Sequence, residues 1–539
     1  MISIIQQSPI ERYQPHERNF KKPYTETIAF SDEVIAYQII LYSSVDRGED
    51  VSYEIKTSCH SRIYKADYVP VSWIYFESDD KEDYLIDSPG LLPDCLHPIK
   101  KEGKLHVCQS LTVLWVEFWF SGAGDKQHII EFTDSYGKVY ETCMNAHIIN
   151  RGLSTKVFPY VQYIDPHSIR LSYNVPMYSD AFWNILEKYV VLAVENGATS
   201  MLVPAYPVHY DNDVCYRPSQ LVEIIYDGPQ YTFNYDLLDT WLLILYRNGI
   251  RRIDLPPVFP SFRNLKCPDF RCQKDYHDVA FFDEGTTTDS AVYYEFIKKF
   301  MSKLIEHIDN FPHKFEVEVQ ISCNGRGEDV EQYDKWKSMI LRYLKGKPVA
   351  EAMPSPLFYA ESECAIPWLY LQDLGYYMDG ISDHQKITFD HRSQSAPINF
   401  LIAANPVRLR AFGGFAYGFC ISWFFNLFYN YSLDPNGSFC DLYTCTDNNG
   451  LGPSGSCYLV YPNPRTPFPS MRLKQMFLAL QDYRGFRCLE DFYPPLKARN
   501  IVKEEFGFTE DTLEIKAEKY LAVRKKIYKL IEKRSMPKK

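Results

Sequence analysis

One local pattern occurs twice in the middle of this chain and restricts its fold more than any other feature. It consists of an amphipathic helix, an Asn-Gly pair, a short apolar strand and a proline. The first copy spans residues 179–204 and the second spans residues 235–256. Helix–strand units that repeat in this way are typical of a parallel sheet covered by helices. The middle of the chain is therefore predicted to be of the α/β class.

The same pattern of helix followed by strand continues towards the C-terminus. Counting a first strand at 168–173, we expect eight strands, and eight such units over this length predict a (β/α)₈ TIM-type barrel at residues 165–495. A doubly wound open sheet is the alternative. The remaining predicted elements are helix 290–308 with strand 315–322, helix 330–344 with strand 349–353, strands 376–379 and 386–389, and helix 407–417 with strand 419–425.

The first 160 residues have a different texture. Short runs of alternating apolar and polar residues, such as 33–42 and 111–120, are separated by turns rich in Gly, Pro and Ser. This spacing, without long helical patterns, predicts an antiparallel β-sandwich at residues 1–160. After the barrel, residues 505–535 are predicted to contain a C-terminal amphipathic helix with a basic polar face. The predicted fold class is thus α/β plus β.

Composition excludes several functional classes. Hydrophobic residues make up 46% of the chain and charged residues 24%, which is ordinary for a globular protein, and the net charge is −11. An acidic chain argues against nucleic acid as a partner, and no apolar run reaches the ~20 residues of a transmembrane segment. The N-terminus lacks the pattern of a secretory signal, so we expect a cytoplasmic protein with reduced cysteines, or a secreted one if a leader was removed.

Familiar catalytic and cofactor motifs do not occur in the sequence. It contains no GxGxxG, P-loop, HExxH or GxSxG pattern. Cys267, Cys272 and His277 offer three possible zinc ligands, but the tight pairs and the fourth ligand of a zinc site are not evident. We expect neither a metal nor a cofactor.

In a parallel barrel, functional residues lie at the carboxyl ends of the strands. Trp423 and Asn426 together suit a pyranose, which stacks on an aromatic ring and hydrogen-bonds an amide, although Trp423 can equally plug the end of the barrel. The candidates read from the predicted strand ends are Tyr206, His209, Cys323, Asn324, Asp379, Phe389, Asp390, Trp423 and Asn426.

A series of motifs near the C-terminus resembles a known family. Arg410 is followed by Gly-x-x-x-x-Trp at 418–423, Tyr461-Pro462, Ser-x-Arg-Leu at 470–473 and Asp482-Tyr483. Their order resembles the catalytic domain of glycoside hydrolase family 123. The resemblance implies a β-sandwich joined to a (β/α)₈ barrel and an exo-acting β-N-acetylgalactosaminidase. It also implies that the substrate's acetamido oxygen is the nucleophile, assisted by an Asp-Glu pair at the end of the fourth strand.

The sequence departs from that family pattern at the pair itself. Strand four ends in Cys323-Asn324, and neither side chain replaces a carboxylic acid as a proton donor. Asp379, Asp390 or Glu328 are possible relocated carboxylates. We therefore predict weak or absent β-N-acetylhexosaminidase activity.

Three functions remain open from the sequence. The chain is a glycoside hydrolase acting on N-acetylhexosamine-containing glycans, a carbohydrate-binding pseudoenzyme, or a structural or interaction protein. The first two imply a glycan or small-sugar ligand, and the oligomeric state stays open.

Overall fold

The structure, a computed structural model, describes most of the chain. By internal contacts the chain forms two compact units, of which the first comprises Met1–Phe158, His391–Cys420 and Asp441–Lys539, and the second comprises Pro159–Asp390 and Ile421–Cys440. The predicted domain boundaries stay predictions. The described residues are 2–75, 84–208, 219–227, 230–259, 262, 265–352, 354–362, 366–371, 374–377, 385–388, 398–509 and 515–536.

The first unit begins with two five-stranded sheets. Their strand orders are β1-β3-β8-β5-β6 and β2-β10-β9-β4-β7. All neighbours are antiparallel except β10 and β2, which run parallel. The strands are β1 (Ile2–Gln7), β2 (Glu26–Phe30), β3 (Ile35–Ser43), β4 (Glu49–Ile55), β5 (His60–Val71), β6 (Gly90–Ile99), β7 (Glu102–Val107), β8 (Thr112–Trp119), β9 (Gly124–Thr133) and β10 (Val139–Ile149).

The two sheets share one hydrophobic core. Tyr37 and Leu114 of the first sheet belong to the same buried cluster as Phe132 and Met144 of the second. Alternation of apolar and polar residues gives each strand one face for this core. The predicted antiparallel sheets at the N-terminus are confirmed.

The second unit is built on parallel strands. They are hydrogen-bonded in the order β11-β12-β15-β18-β19-β20-β21-β22, and β22 pairs in turn with β11. We call these strands the curled parallel sheet. They are β11 (Tyr160–Tyr163), β12 (Ser200–Leu202), β15 (Arg252–Leu255), β18 (Glu316–Cys323), β19 (Val349–Ala352), β20 (Pro367–Tyr370), β21 (Gln385–Thr388) and β22 (Ile421–Asn426).

Helices lie between these strands. Ser179 accepts a hydrogen bond from Phe182 N at 3.3 Å and so caps α2. The later connections are short, since α6 has six residues and α7 has four. The helices are α1 (Pro166–Tyr173), α2 (Asp180–Glu195), α3 (Asp236–Arg247), α4 (Ala291–Asn310), α5 (Val330–Leu341), α6 (Pro356–Glu361) and α7 (Leu374–Tyr377).

A small four-stranded sheet in the connections after β12 and β15 was not predicted. Its order is β14-β13-β16-β17. The sequence offers little to identify it, because these strands have four or five residues each and the two hairpins, β13-β14 and β16-β17, are joined through the distant pair β13 and β16. They are β13 (Glu223–Asp227), β14 (Gln230–Asn234), β16 (Arg271–Lys274) and β17 (His277–Ala280).

The rest of the first unit is mostly helical. Met471 and Leu478 of α9 pack in one cluster with Trp115 of β8, so α9 covers the outer face of the first sheet. Within the described residues, no helix combines the length and apolar character needed to cross a membrane. The elements are α8 (Pro406–Gly418), β23 (Val460–Tyr461), β24 (Phe468–Pro469), α9 (Met471–Arg487), α10 (Pro495–Phe506) and α11 (Ala517–Ser535).

Two predicted strands of the parallel sheet are wrong. Residues 168–173 belong to α1, because Asp165 accepts from Ser168 N at 2.7 Å and Pro166 occupies the first turn, both of which start a helix. The first parallel strand is β11 instead. Of the predicted strand 376–379, the described part lies in α7, and the sixth parallel strand is β20.

Candidate functional site

The interior of the curled parallel sheet is packed with side chains from several of its strands. Val161, Leu202, Cys323, Trp368 and Phe425 belong to one buried cluster. Side chains from strands that are not neighbours in the sheet can meet only on its concave face, so this cluster lies on the concave face. Residues that alternate with these along each strand therefore face outwards.

A β-bulge sets the direction of the last side chain of β18. The pairing of β18 with β19 shifts between Gln320, which is opposite Ala350, and Cys323, which is opposite Ala352. A bulge inserts one extra residue and turns the following side chains to the other face. Cys323 thereby joins the interior cluster and is fully buried. The first residue of the predicted catalytic pair is thus a thiol enclosed by apolar side chains.

The next two residues form a tight turn. Asn324 has φ +56° and donates its backbone N–H to Ala352 O at 2.8 Å. Asparagine tolerates the left-handed region better than most residues, so its presence has a backbone reason. At Gly325, a Cβ atom would lie 2.4 Å from Cε2 of Phe358. The Cys-Asn-Gly sequence is therefore fitted to the geometry of this turn.

Two carboxylates deeper in the second unit are engaged in pairs. Glu318 Oε2 accepts from Arg252 Nη2 at 2.8 Å, and its Oε1 accepts from Trp368 Nε1 at 3.1 Å. Asp254 Oδ2 accepts from Ser200 Oγ at 2.5 Å. Glu318 precedes Cys323 by five residues, or about 16 Å along an extended strand. Both carboxylates are held by side chains of neighbouring strands, and Glu318 does not reach the end of β18.

A buried carboxyl group beside the end of β18 is that of Glu351 on β19. It is fully buried, and its Oε1 and Oε2 each lie 2.7 Å from Ser322 Oγ, while Oε2 also accepts from Ser322 N at 3.0 Å. Burial raises the pKa of Glu351 to about 8, against the lowering effect of the Ser322 hydrogen bonds. It alternates with Ala350 and Ala352, which face the interior, so it points away from the concave face.

Glu351 was missed by sequence reasoning. The available signal was a lone carboxylate inside the apolar run Val349–Ala352 of a predicted strand.

The three described residues predicted to bind sugar are each engaged with protein groups. The guanidinium carbon of Arg252 lies 3.5 Å from the centre of the Trp423 ring, which also packs against the interior cluster. Asn426 Nδ2 donates to Gln162 Oε1 at 2.7 Å. Tyr206 is buried and donates its hydroxyl to Pro256 O at 2.6 Å. The structure brings Cys323 and Trp423 to one apolar cluster, which does not contain Tyr206.

The other candidates do not gather at the turn within the described part of the chain. Glu328 is exposed in the 3-10 turn Gly327–Asp329. The remaining four candidates, His209, Asp379, Phe389 and Asp390, lie outside the described residues.

The motifs that carry the family resemblance lie mostly in the first unit, where three of them contribute residues to buried ion pairs. Arg410 Nη2 donates to Asp482 Oδ1 at 3.0 Å, and Arg524 Nε donates to the same oxygen at 2.7 Å. Arg472 Nη2 donates to Asp94 Oδ2 at 2.8 Å. Although burial alone would raise the pKa of Asp94, the guanidinium of Arg472 holds it below its ordinary value. These motif residues are engaged with protein groups inside the first unit.

The chemistry available at the end of β18 follows from these contacts. Cys323 and Asn324 offer a thiol and an amide, which form hydrogen bonds but supply neither a negative charge nor a ready proton. Across the described ranges, His, Cys, Asp and Glu side chains form no group of three that could hold a metal ion. These two side chains do not supply acid–base chemistry at the end of β18.

A family model described as "Glycoside hydrolase 123, catalytic domain" matches residues 163–489, which is more than half of the chain. No curated protein matches the chain. Among solved structures, a family 123 glycoside hydrolase from Clostridium perfringens is similar with a TM-score of 0.73 and 11% identity, and the alignment covers 99% of this chain and 98% of that one.

Other carbohydrate-active structures match with low TM-scores. A Bacteroides ovatus xyloglucanase in complex with a heptasaccharide has a TM-score of 0.30 at 5% identity, covering 85% of this chain and 98% of its own. A family 39 glycoside hydrolase from Bacteroides cellulosilyticus has a TM-score of 0.32 at 7% identity, covering 85% and 82%. The family model matches most of the parallel-strand region, and the similarity to the Clostridium perfringens fold extends over nearly the whole chain. Because the family model covers more than half of the chain, the chain belongs to glycoside hydrolase family 123.

Proposed function

We propose that this protein binds N-acetylhexosamine-containing glycans at the carboxyl end of its curled parallel sheet and that its β-N-acetylgalactosaminidase activity is weak or absent. We further propose that the curled parallel sheet and its helices form a (β/α)₈ barrel and that the sugar binds at the carboxyl ends of its strands. The Clostridium perfringens relative is described as acting in glycolipid glycan hydrolysis, and glycans of that kind are the proposed ligands.

The observation that carries the proposal is the end of β18. Substrate-assisted hydrolysis needs one carboxylate to stabilise the developing oxazolinium charge and one acid to protonate the leaving oxygen. The candidate positions hold Cys323, enclosed in the interior cluster, and Asn324, fixed in a turn. General acid–base catalysis alone contributes ~10²–10⁴-fold, so its loss accounts for weak or absent turnover.

A restoration experiment tests this proposal. The double variant Cys323→Asp with Asn324→Glu is compared with the unmodified protein on an aryl β-N-acetylgalactosaminide. Because Cys323 is fully buried, a carboxylate there is expected to destabilise the fold, and the single variant Asn324→Glu is assayed beside it. The matched control is Cys323→Ser with Asn324→Gln, which keeps similar shapes without adding charge.

The expected result is little turnover by the unmodified protein and the control, with activity gained by a carboxylate variant. Robust turnover by the unmodified protein contradicts the proposal and points to a relocated acid, for which Asp379 and Asp390 are the first residues to replace. Calorimetry with the methyl β-glycoside of N-acetylgalactosamine measures binding separately. No turnover and no sugar binding by any variant would favour an interaction protein instead.

A further inference from the structure

A groove in the second unit lies apart from the end of β18. Its cavity volume is about 490 Å³, within the range of small-molecule sites. It is lined by α1, by residues after β22 and by the small sheet. These segments follow β11, β12, β15 and β22, so the groove belongs to the carboxyl side of the curled parallel sheet, where such folds bind their ligands.

One wall of the groove is largely apolar. Leu171 and Met177 line it together with Tyr178, and Leu433 lines it from the segment after β22. Tyr178 has φ +60°, an unusual conformation for a bulky residue. Aromatic and aliphatic surface of this kind packs against the C–H faces of a sugar ring.

The opposite wall is polar and firmly held. Gln220 Oε1 accepts from Arg271 N at 3.0 Å, and Gln220 Nε2 donates to Arg271 O at 3.0 Å. The guanidinium Nη2 of Arg271 donates to Asp278 O at 3.0 Å. The strand register places Ile224 opposite Cys272, so Glu223 lies beside Arg271 on the same face. Donors and acceptors are thus fixed in place along this wall.

A buried hydroxyl also lines the groove. The Ser219 side chain is 4% exposed, and its Oγ atom has no hydrogen-bond partner among the described residues. Buried polar atoms in native proteins almost always have a partner, so such an atom in a cavity wall needs an explanation. A ligand hydroxyl is the kind of group that would supply the partner.

We propose that this groove is a second carbohydrate subsite, which binds a neutral sugar unit of the glycan against the Tyr178 wall and hydrogen-bonds it from Ser219, Glu223 and Arg271. The inference rests on the proposed function, because it takes its ligand class from it. Neutrality follows from charge, since Arg170 and Arg271 are balanced in the lining by Glu223 and Asp278. Neither Cys323 nor Asn324 lines the groove.

Calorimetry with N,N′,N″-triacetylchitotriose on the full chain tests the subsite. Gln273→Trp places a bulky ring in the groove from an exposed lining position, and we expect at least tenfold weaker binding. Lys274→Trp, the adjacent exposed residue outside the lining, is the matched control and should bind as the unmodified protein does. Ser219→Ala should weaken binding about three- to tenfold while leaving the melting temperature unchanged or higher, since it removes an unpartnered hydroxyl.

The outcomes separate this inference from the proposed function. If the unmodified protein binds the probe and Gln273→Trp binds it equally well, the groove is not the binding site. Sugar binding elsewhere on the protein is then retained. No binding by the unmodified protein overturns both. Unchanged affinity in Ser219→Ala overturns the role of that hydroxyl. Tighter binding of N-acetylneuraminic acid than of the neutral probe overturns the neutral assignment.

Discussion

Ser322 donates both its hydroxyl and its backbone N–H to Glu351, with distances of 2.7 and 3.0 Å to Oε2. The two residues join β18 to β19 directly beside the bulge that turns Cys323 inwards. Glu351 is thus a buried carboxyl that stabilises the end of β18 from the outer face.

The first prediction concerns pH. Burial raises the pKa of Glu351 from 4.5 to about 8, so the folded protein keeps this proton where the unfolded chain releases it. The free energy of unfolding should therefore fall as pH rises between these values, by up to about 1.4 kcal/mol per pH unit. In Glu351→Gln this part of the pH dependence should disappear. Urea denaturation at pH 5 and at pH 8 measures the free energy of unfolding for both proteins. Glu331→Gln, at an exposed site, is the control and should keep the slope of the unmodified protein.

The second prediction concerns Gly325. A Cβ atom there would lie 2.4 Å from the Phe358 ring, so Gly325→Ala should lower the free energy of unfolding by about 1–3 kcal/mol through overpacking. Adding Phe358→Leu should restore part of the loss. At Gly285 a Cβ meets nothing within 4 Å, and Gly285→Ala should change stability little. Equal thermal shifts for the two alanine variants would contradict the turn geometry.

The third prediction concerns Asp482. Its carboxylate is shared by the buried guanidiniums of Arg410 and Arg524, and Asp482→Asn would remove this negative charge from both, although Arg524 keeps its pair with Glu33. We expect a loss of about 3–5 kcal/mol in the free energy of unfolding, the range measured for broken buried pairs. The comparison is Glu295→Gln, in an exposed pair with Lys298, which should cost under about 1 kcal/mol. A small effect of Asp482→Asn would mean that the family motif has a role other than stability.

The fourth prediction concerns His147. Its Nδ1 lies 2.6 Å from Asp125 Oδ1 and its Nε2 lies 2.7 Å from Glu532 Oε1 of α11. These hydrogen bonds raise its pKa above 6.5, with that to Asp125 the larger cause. The stability that the charged ring contributes is present below pH 6.5 and is lost as pH rises through the raised value. NMR titration should show a lower pKa of His147 in Glu532→Gln, whereas Glu518→Gln on the same helix should leave it unchanged.

Local signals in the sequence were sufficient for several elements. The helices that begin at Ser179 and Ser290 and the strand at 349–353 were predicted, because a helix start and an apolar run depend on a few neighbouring residues. The same kind of signal was present at Asp165-Pro166 but was outweighed by the alternating pattern of 168–173, which is short enough to fit either a strand or one face of α1.

The site was harder to predict than the fold, for a physical reason. Two features of the site depend on strand register, which the residues of one strand do not specify. They are the contact of Arg252 with Trp423 and the change in the pairing of β18 with β19 between Gln320 and Cys323. The motifs recognised near the C-terminus identified the family correctly. Three of the motif residues form buried ion pairs, namely Arg410, Arg472 and Asp482. Their presence therefore indicates the fold, whereas catalytic activity depends on the residues at the end of β18.

The buried pair of Arg524 with Glu33 has a consequence for how the protein is made. The two residues are separated by 491 positions, and Arg524 also donates to Ile28 O. At roughly 5–20 residues per second, a ribosome delivers Arg524 about 25–100 s after Glu33. During that interval the nascent N-terminal sheets have a carboxylate and a carbonyl that still lack their partner from α11. Completion of the first unit must therefore wait for the synthesis of α11, and nascent chains that lack this helix are expected to depend on chaperones.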